Sequence, residues 1–255
     1  MYYFISVLAA LEVIYMSAIH PRFLASIIST DKRISFIGCF IQMFVAGTSG
    51  ATESYLLAFM AIDRDLAINH PLRYSAIMTM KFCIGLAVIP WIVGTSIMLT
   101  ESILIANLDF CGPNEIDHFF CDPLALQALA CSDSSIINVV RNGLVVIACG
   151  VPFFIIIQAY IKIIMTITKI KSSVGKWKAF STCSSHLIVT SLFYATVSAV
   201  YIKTNDNTSK KYLALMFTLI SPTLNPFIYT LRNKDVKEAL RKSKLLKRIL
   251  HLLNY

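Results

Sequence analysis

Charge is scarce in this chain. Asp, Glu, Lys and Arg make up 15% of its 255 residues, while 56% are hydrophobic. A soluble domain carries about 25% charged residues and about 45–50% apolar ones, so a water-soluble globule of this length is excluded. Leu, Ile, Val and Phe run through the whole chain, which excludes disorder. Seven cysteines in 255 residues are too sparse for a disulfide-stapled secreted miniprotein. The motifs that organise enzymes are missing as well: there is no GxSxG elbow, no HExxH and no GxxxxGK[ST]. Ser184, Ser185 and His186 are contiguous, so on a helix they point in different directions and form no dyad. A transporter would show paired broken helices or an internal repeat, and neither is found. What remains is an all-α, polytopic membrane protein that is no enzyme.

The spans are read from the gaps between charges. A bilayer core needs roughly 20 apolar helical residues. Uncharged stretches lie between Lys81 and Glu101, Arg141 and Lys162, Lys178 and Lys203, and Lys211 and Arg232. Two further stretches are interrupted only by Glu12 and Glu53. The expected spans are residues 1–20, 34–62, 82–100, 136–166, 179–202 and 212–231, all within one domain over 1–255. The first span begins with the chain, without a basic leading segment or a small-residue cleavage site, so no signal peptide is expected.

Cations set the orientation. Sixteen of the 23 Lys and Arg residues fall in one set of loops and the C-terminal tail, whereas residues 101–135 carry six acids and no Lys or Arg. The C-terminus is therefore expected in the cytoplasm and the acidic segment outside. The net charge of +9 follows from this topology, and nucleic acid is not an expected partner. In the tail, Val236, Ala239, Leu240, Leu246, Ile249, Leu250 and Leu253 recur at helical spacing among Lys237, Arg241, Lys244, Lys247 and Arg248. That pattern predicts an amphipathic helix over about 233–250 in the headgroup plane.

Cys83, Cys149 and Cys183 lie in or beside spans and read as small buried residues. Cys39, Cys111, Cys121 and Cys131 fall on the outer side, where oxidation is permitted, and four cysteines allow three pairings. His118 near Cys121 invites a metal reading, but its ligand set is too loose, and no metal site is expected.

Ionisable residues inside a membrane default to function. Glu12 and Glu53, with Asn225 nearby, would share a proton or hold a sodium ion; the plain alternative is a neutral, hydrogen-bonded packing role. Pro222 and Pro226 interrupt the last span and free carbonyls there. Ala46, Gly47, Gly50 and Ala51 form a stripe of small residues on one helix face, which either lets helices pack closely or leaves a cavity. Tyr194 and Tyr201, two turns apart on another span, would wall such a cavity.

Residues 60–74, Met60-Ala61-Ile62-Asp63-Arg64-Asp65-Leu66-Ala67-Ile68-Asn69-His70-Pro71-Leu72-Arg73-Tyr74, resemble the MAYDRYLAICHPLRY signature of vertebrate odorant receptors, which are rhodopsin-like G-protein-coupled receptors. Lys178-Ala179-Phe180-Ser181-Thr182-Cys183-Ser184-Ser185-His186-Leu187 matches their KAFSTCSSHL motif at every position. Pro222-Thr223-Leu224-Asn225-Pro226-Phe227-Ile228-Tyr229-Thr230-Leu231-Arg232-Asn233 is similar to PMLNPIIYSLRN. His118 to Asp122 and Ala130 to Asp133 resemble the family's outer-loop pattern, so the likeness runs essentially from Met1 to the tail.

The resemblance implies a rhodopsin-like seven-helix bundle, with six of the seven helices present, in the plasma membrane. It implies disulfides Cys39–Cys121 and Cys111–Cys131. Asp63 and Arg64 would hold the inactive state and then release Arg64 to a G protein. Asn225, Pro226 and Tyr229 would form a switch in the last span, with Glu12 and Glu53 as the polar core. Projection from the matched motifs places odorant contacts at Met43, Ala46, Gly47, Gly50 and Ala51, at Leu144 and Ala148, and at Tyr194, Val197, Ser198 and Tyr201. A pocket lined this way suits a small, mainly apolar, volatile ligand. The expected partners are an odorant, the bilayer and the stimulatory olfactory G protein, with cyclic AMP as the output.

The sequence also departs from the pattern. The chain starts at what resembles the family's PMYYF, so the N-terminal tail and first helix would be absent. That leaves an alternative reading as a truncated, non-signalling product retained in the endoplasmic reticulum. Ile62 and Asp65 stand where the family has Tyr, and Asn69 where it has Cys. Asp65 beside Arg64 is expected to hold it in an inactive pairing and weaken coupling.

Overall fold

The computed structural model describes residues 2–111, 113–201 and 207–232. The amphipathic helix expected over 233–250 lies outside them. Six long helical segments dominate: α1 (Tyr2–Ile28), α2 (Phe36–Asn69), α4 (Met80–Ala106), the combined α6 (Ser135–Val145) and α7 (Val151–Lys169), α8 (Ser173–Tyr201) and α9 (Asn207–Arg232). Two short helices, α3 (Pro71–Ile77) and α5 (Pro123–Gln127), sit in the connections.

The breaks follow from local chemistry. The Ser35 hydroxyl caps α2 by accepting from the Gly38 amide. Pro71 cannot continue α2 and instead opens α3, where its missing N–H costs nothing. Thr79 caps α4 through the Phe82 amide, and Asp122 caps α5 through those of Leu124 and Ala125. Between α6 and α7 the chain widens into one π turn, Val146–Gly150. Pro152 follows directly; it has no N–H for the Ala148 carbonyl four residues back and its ring crowds that carbonyl.

Among the described residues four segments, Tyr3–Ile28, Met80–Ala106, Ser135–Lys169 and Lys211–Tyr229, are long and apolar enough to cross a membrane by length and composition. The more polar α2 and α8 fall outside that group, although the charge gaps predicted spans there. In α2 the reason is its place in the fold. This 34-residue helix packs against α1, α4, α7 and α8, and its Gln42, Thr48, Ser49, Thr52, Glu53, Ser54, Asp63 and Arg64 are buried against neighbours. The outer surface is apolar instead. Ile84, Val88, Ile92, Leu99 and Ile103 on α4, and Phe154, Ile157, Ile161 and Ile164 on α7, are exposed, as a lipid-facing sheath requires.

The α4 helix overruns its expected limit, continuing past Glu101 to Ala106, whereas α6 begins at Ser135, within one residue of the expected start at 136. The two charges taken as span boundaries are buried and paired, with Arg141 Nε donating to Glu101 Oε1 at 2.9 Å.

Two main apolar clusters stack along the bundle. The larger joins Phe4, Leu8 and Leu11 to Leu56, Leu57, Met60, Ile156, Tyr160, Ile163, Val189, Phe193 and Tyr229. The outer one joins Cys39 and Met43 to Met98, Ile105, Leu108, Cys121, Leu126 and Ile137.

Candidate functional site

The small-residue stripe on α2 divides residue by residue. A β-carbon on Gly47 would lie 2.4 Å from both Sδ and Cε of Met98, so this position is filled by α4. The same seam brings Gly94 of α4 so near that its β-carbon would sit 2.8 Å from Thr52 Oγ1 and 2.9 Å from the Thr48 carbonyl oxygen. Thr52 also donates to the Pro90 carbonyl at 3.3 Å. Gly50 differs, since a β-carbon there meets nothing within 4 Å.

One turn along from Gly50, α2 reaches the π turn. The Ser54 hydroxyl donates to the Ala148 carbonyl, supplying the bond that Pro152 cannot make. Tyr55 donates to the Ile147 carbonyl at 2.8 Å, and Tyr194 of α8 to that of Cys149 at 3.2 Å. Three successive carbonyls of the π turn are thereby held by side chains from two other helices. Tyr194 also lies against Phe153, with ring centroids 4.9 Å apart. A π turn inside a helix recurs at functional sites because it exposes backbone groups that an α-helix would satisfy itself.

The remaining ligand candidates sort around this centre. Met43 is buried in the outer cluster with Met98, and Ala46 packs with Tyr15, Ile19 and Phe120. Ala51 is buried. Leu144 and Ala148 are half-buried and continue the face that carries buried Ile137 and Arg141. Val197 packs against the main core. Ser198 is a correction: it is exposed beside Ser191 and Ala195, on the face of α8 opposite buried His186, Val189 and Phe193. A rotation of about 100° per residue carries it off the core side that Val197 still touches. Tyr201 ends α8, and its side chain is outside the described set.

An outer strap covers this end. Disulfides join Cys39 to Cys121 and Cys111 to Cys131, with Cα atoms 5.4 and 6.0 Å apart. Cys121 is thus no metal ligand, and among the described residues no group of three or more His, Cys, Asp or Glu side chains is arranged to hold a metal ion. Gln42 secures the strap from both ends: its Oε1 accepts from the Cys121 amide at 3.0 Å and its Nε2 donates to the Ala18 carbonyl at 2.9 Å. At the far edge Lys211 pairs with Asp117 at 2.5 Å and lies 5.8 Å from the Phe119 ring centre. Phe119 in turn meets Phe23 and Tyr212. Burial holds His118 below the ordinary histidine range, against the opposing pull of Asp122 and Asp117.

Deeper in the bundle, Asn225 Nδ2 donates to Glu53 Oε1 at 3.2 Å and lies beside Glu12. All three are buried; Glu12 Oε1, Asn225 Oδ1 and the Tyr229 hydroxyl have no hydrogen-bond partner among the described residues. Pro226 follows Asn225 on α9 and is exposed. At the inner end the Tyr74 hydroxyl donates to Asp63 at 2.7 Å, and Arg64 is buried close enough to Tyr160, His186 and Tyr229 for its charge to act on them. The expectation for Asp65 needs revision. Its carboxylate accepts from Asn69, which accepts in turn from Thr166 of α7, so Asp65 belongs to a clamp between α2 and α7. His186, the histidine of the matched motif, bridges the Leu57 carbonyl (3.0 Å) and the Tyr160 hydroxyl (2.8 Å).

Sequence reasoning passed over Gln42, Ser54, Tyr55, Tyr160 and the Glu101–Arg141 pair, and assigned His186 no bridging role. Pro152 was the available signal for Ser54, because a proline within a span announces a carbonyl in need of a donor.

The family model described as olfactory receptor matches residues 1–247. Human olfactory receptor 6N1 is 43% identical over 255 residues, covering 98% of this chain and 80% of that protein. Human olfactory receptor 2A25 is 44% identical over 246 residues, covering 95% and 79%. Mouse olfactory receptor 6E1 is 42% identical over 246 residues, with the same coverage.

Proposed function

The chain belongs to the olfactory receptor family, a family of receptors and not of enzymes, and from that premise we propose an odorant receptor whose ligand is small, volatile and mainly apolar. The ligand lies in the outer half of the bundle, in the open space beside Gly50, between α2, the π turn and α8. One observation carries this reading: the Ile147, Ala148 and Cys149 carbonyls are held by Tyr55, Ser54 and Tyr194 next to that space. A ligand entering there competes with or reinforces hydrogen bonds joining three helices, so occupancy changes how the helices pack. Met43, Ala51, Leu144 and Val197 supply apolar wall, and the strap tied by Gln42 and Lys211 excludes water.

The output is transmitted inward. Glu12, Glu53 and Asn225 form a polar core that shares a proton or holds a sodium ion. Pro222 and Pro226 let α9 bend there, and Asn225, Pro226 and Tyr229 act as the switch. Release of the Asp63–Tyr74 contact frees Arg64 toward a stimulatory olfactory G protein, raising cyclic AMP. This mechanism requires a plasma-membrane location with a cytoplasmic C-terminus, in keeping with the cation distribution. The competing reading, a non-signalling product held in the endoplasmic reticulum, has no observation in its favour.

The test expresses the full chain in cells carrying a cyclic AMP reporter, with surface immunostaining, and applies a panel of small volatile compounds. A saturable rise that scales with surface receptor is expected. Surface receptor that answers none of them, or an ion current in place of cyclic AMP, overturns the reading.

A further inference from the structure

The Glu101–Arg141 pair lies outside every role assigned so far. It joins α4 to α6 in the outer half of the bundle, next to the Ile105, Leu108, Leu126 and Ile137 cluster, and both residues are buried. Arg141 stands one turn before Leu144 on α6, which runs on into the π turn that holds Ala148. Nε donates to Glu101, but the buried Nη2 has no hydrogen-bond partner among the described residues. Among the described residues Gln127 of α5 leaves its Oε1 without a partner too, while its Nε2 donates to Asn138, one turn before Arg141. A buried guanidinium N–H left unmade is costly, and a site that keeps one open favours a ligand able to satisfy it.

We propose that Arg141 is a specificity-determining residue whose Nη2 donates to the carbonyl oxygen of the ligand, which makes this receptor selective for aldehydes, ketones or esters. The Glu101 carboxylate already balances the guanidinium charge, so a carboxylate ligand would bring a second negative charge into a site with one cation. An alkane leaves Nη2 unsatisfied. An alcohol accepts, but it also brings a donor that needs its own acceptor. The assignment rests on the odorant-receptor reading and names the ligand class for that site.

The experiment uses the full chain in cyclic AMP reporter cells, with thermal unfolding of the detergent-solubilised receptor as a direct binding readout. The probes are an alkane, an alcohol, a carboxylate, an aldehyde, a methyl ketone and a methyl ester of one chain length. The three carbonyl compounds are expected to be about tenfold or more stronger than the alkane and the carboxylate. Arg141→Met should erase that ranking. Breaking a buried pair can also unfold the chain, so the double variant Glu101→Leu with Arg141→Met removes both charges and the donor together and should reach the surface without the preference. Glu101→Gln alone leaves the cation unbalanced and should move the preference toward the carboxylate by about tenfold. A carbonyl preference that survives in the double variant, or its absence in the unaltered receptor, overturns the assignment and leaves the odorant reading intact. Surface receptor that neither responds to nor is stabilised by any probe overturns both. Stabilisation by carbonyl probes without cyclic AMP supports the ligand-class assignment and overturns the signalling part of the proposed function.

Discussion

The side of α2 that meets α4 and the side that meets the π turn are built from the same kind of small residue, yet they differ in what fills the space. On the α4 side, Gly47 and Gly94 leave no room: their β-carbons would fall within 3 Å of Met98 and of Thr48 and Thr52. On the other side Gly50 faces open space, and the contact is made by hydroxyls reaching three carbonyls. The first arrangement is held by shape and tolerates no added volume. The second is held by a few directional bonds around a gap, which a guest molecule can enter. Small residues at helical spacing do not by themselves distinguish packing from cavity; what stands opposite each one does.

The largest effect should come from closing the tight side. Gly94→Val forces a β-carbon onto the Thr48 carbonyl, a backbone atom that cannot step aside, and overpacking of this kind costs about 1–3 kcal/mol or more. Surface receptor and thermal stability should both fall sharply. Gly50→Val, which adds the same side chain to the open side, should leave both near the unaltered level. Equal losses for the two would erase the contrast.

Next in size is the loss of a single directional bond. Ser54→Ala leaves the Ala148 carbonyl without the donor that Pro152 also fails to supply, at about 1–3 kcal/mol. Ser49→Ala removes a hydroxyl bonded only to the Val45 carbonyl of its own helix, and should cost under about 1 kcal/mol. Thermal unfolding of the two variants in one detergent makes the comparison. At the inner end, Asn69→Ala cuts the clamp from Asp65 to Thr166, worth about 1 kcal/mol. It frees the inner end of α7 and should raise ligand-evoked cyclic AMP, as should Asp65→Tyr; lowered output from both would show that the clamp supports coupling.

The smallest effect concerns the strap. His118 is held neutral by burial, with its folded value below the ordinary 6.5. The unfolded chain therefore binds the proton first, and the contribution of neutral His118 is fully present above about pH 6.5 and is lost as pH falls toward the lower folded value. Thermal stability of the receptor should decline across that acid window, and His118→Gln should flatten the decline.

Much of this was legible in the chain itself. The disulfides follow from the resemblance, and Glu53 and Asn225, grouped as polar residues inside spans, do meet. Other features were hidden by the nature of the signal. Glu101 and Arg141 each looked like the end of a span, since a lone charge reads as an interface; only a fold that brings residues 40 apart together shows them neutralising one another. Ser198 was assigned by counting turns along α8, and a rotation of one residue separates the core face from the exposed one. Asp65 was judged against its neighbour in sequence, but on a helix its partner stands four residues away.

The central claim is that the ligand occupies the space beside Gly50. Its most direct test is the dose–response of Gly50→Leu, at matched surface receptor, to whichever compound in the volatile panel best activates the unaltered chain. The account predicts normal surface receptor with a response weakened about tenfold or more; an unchanged dose–response would contradict it.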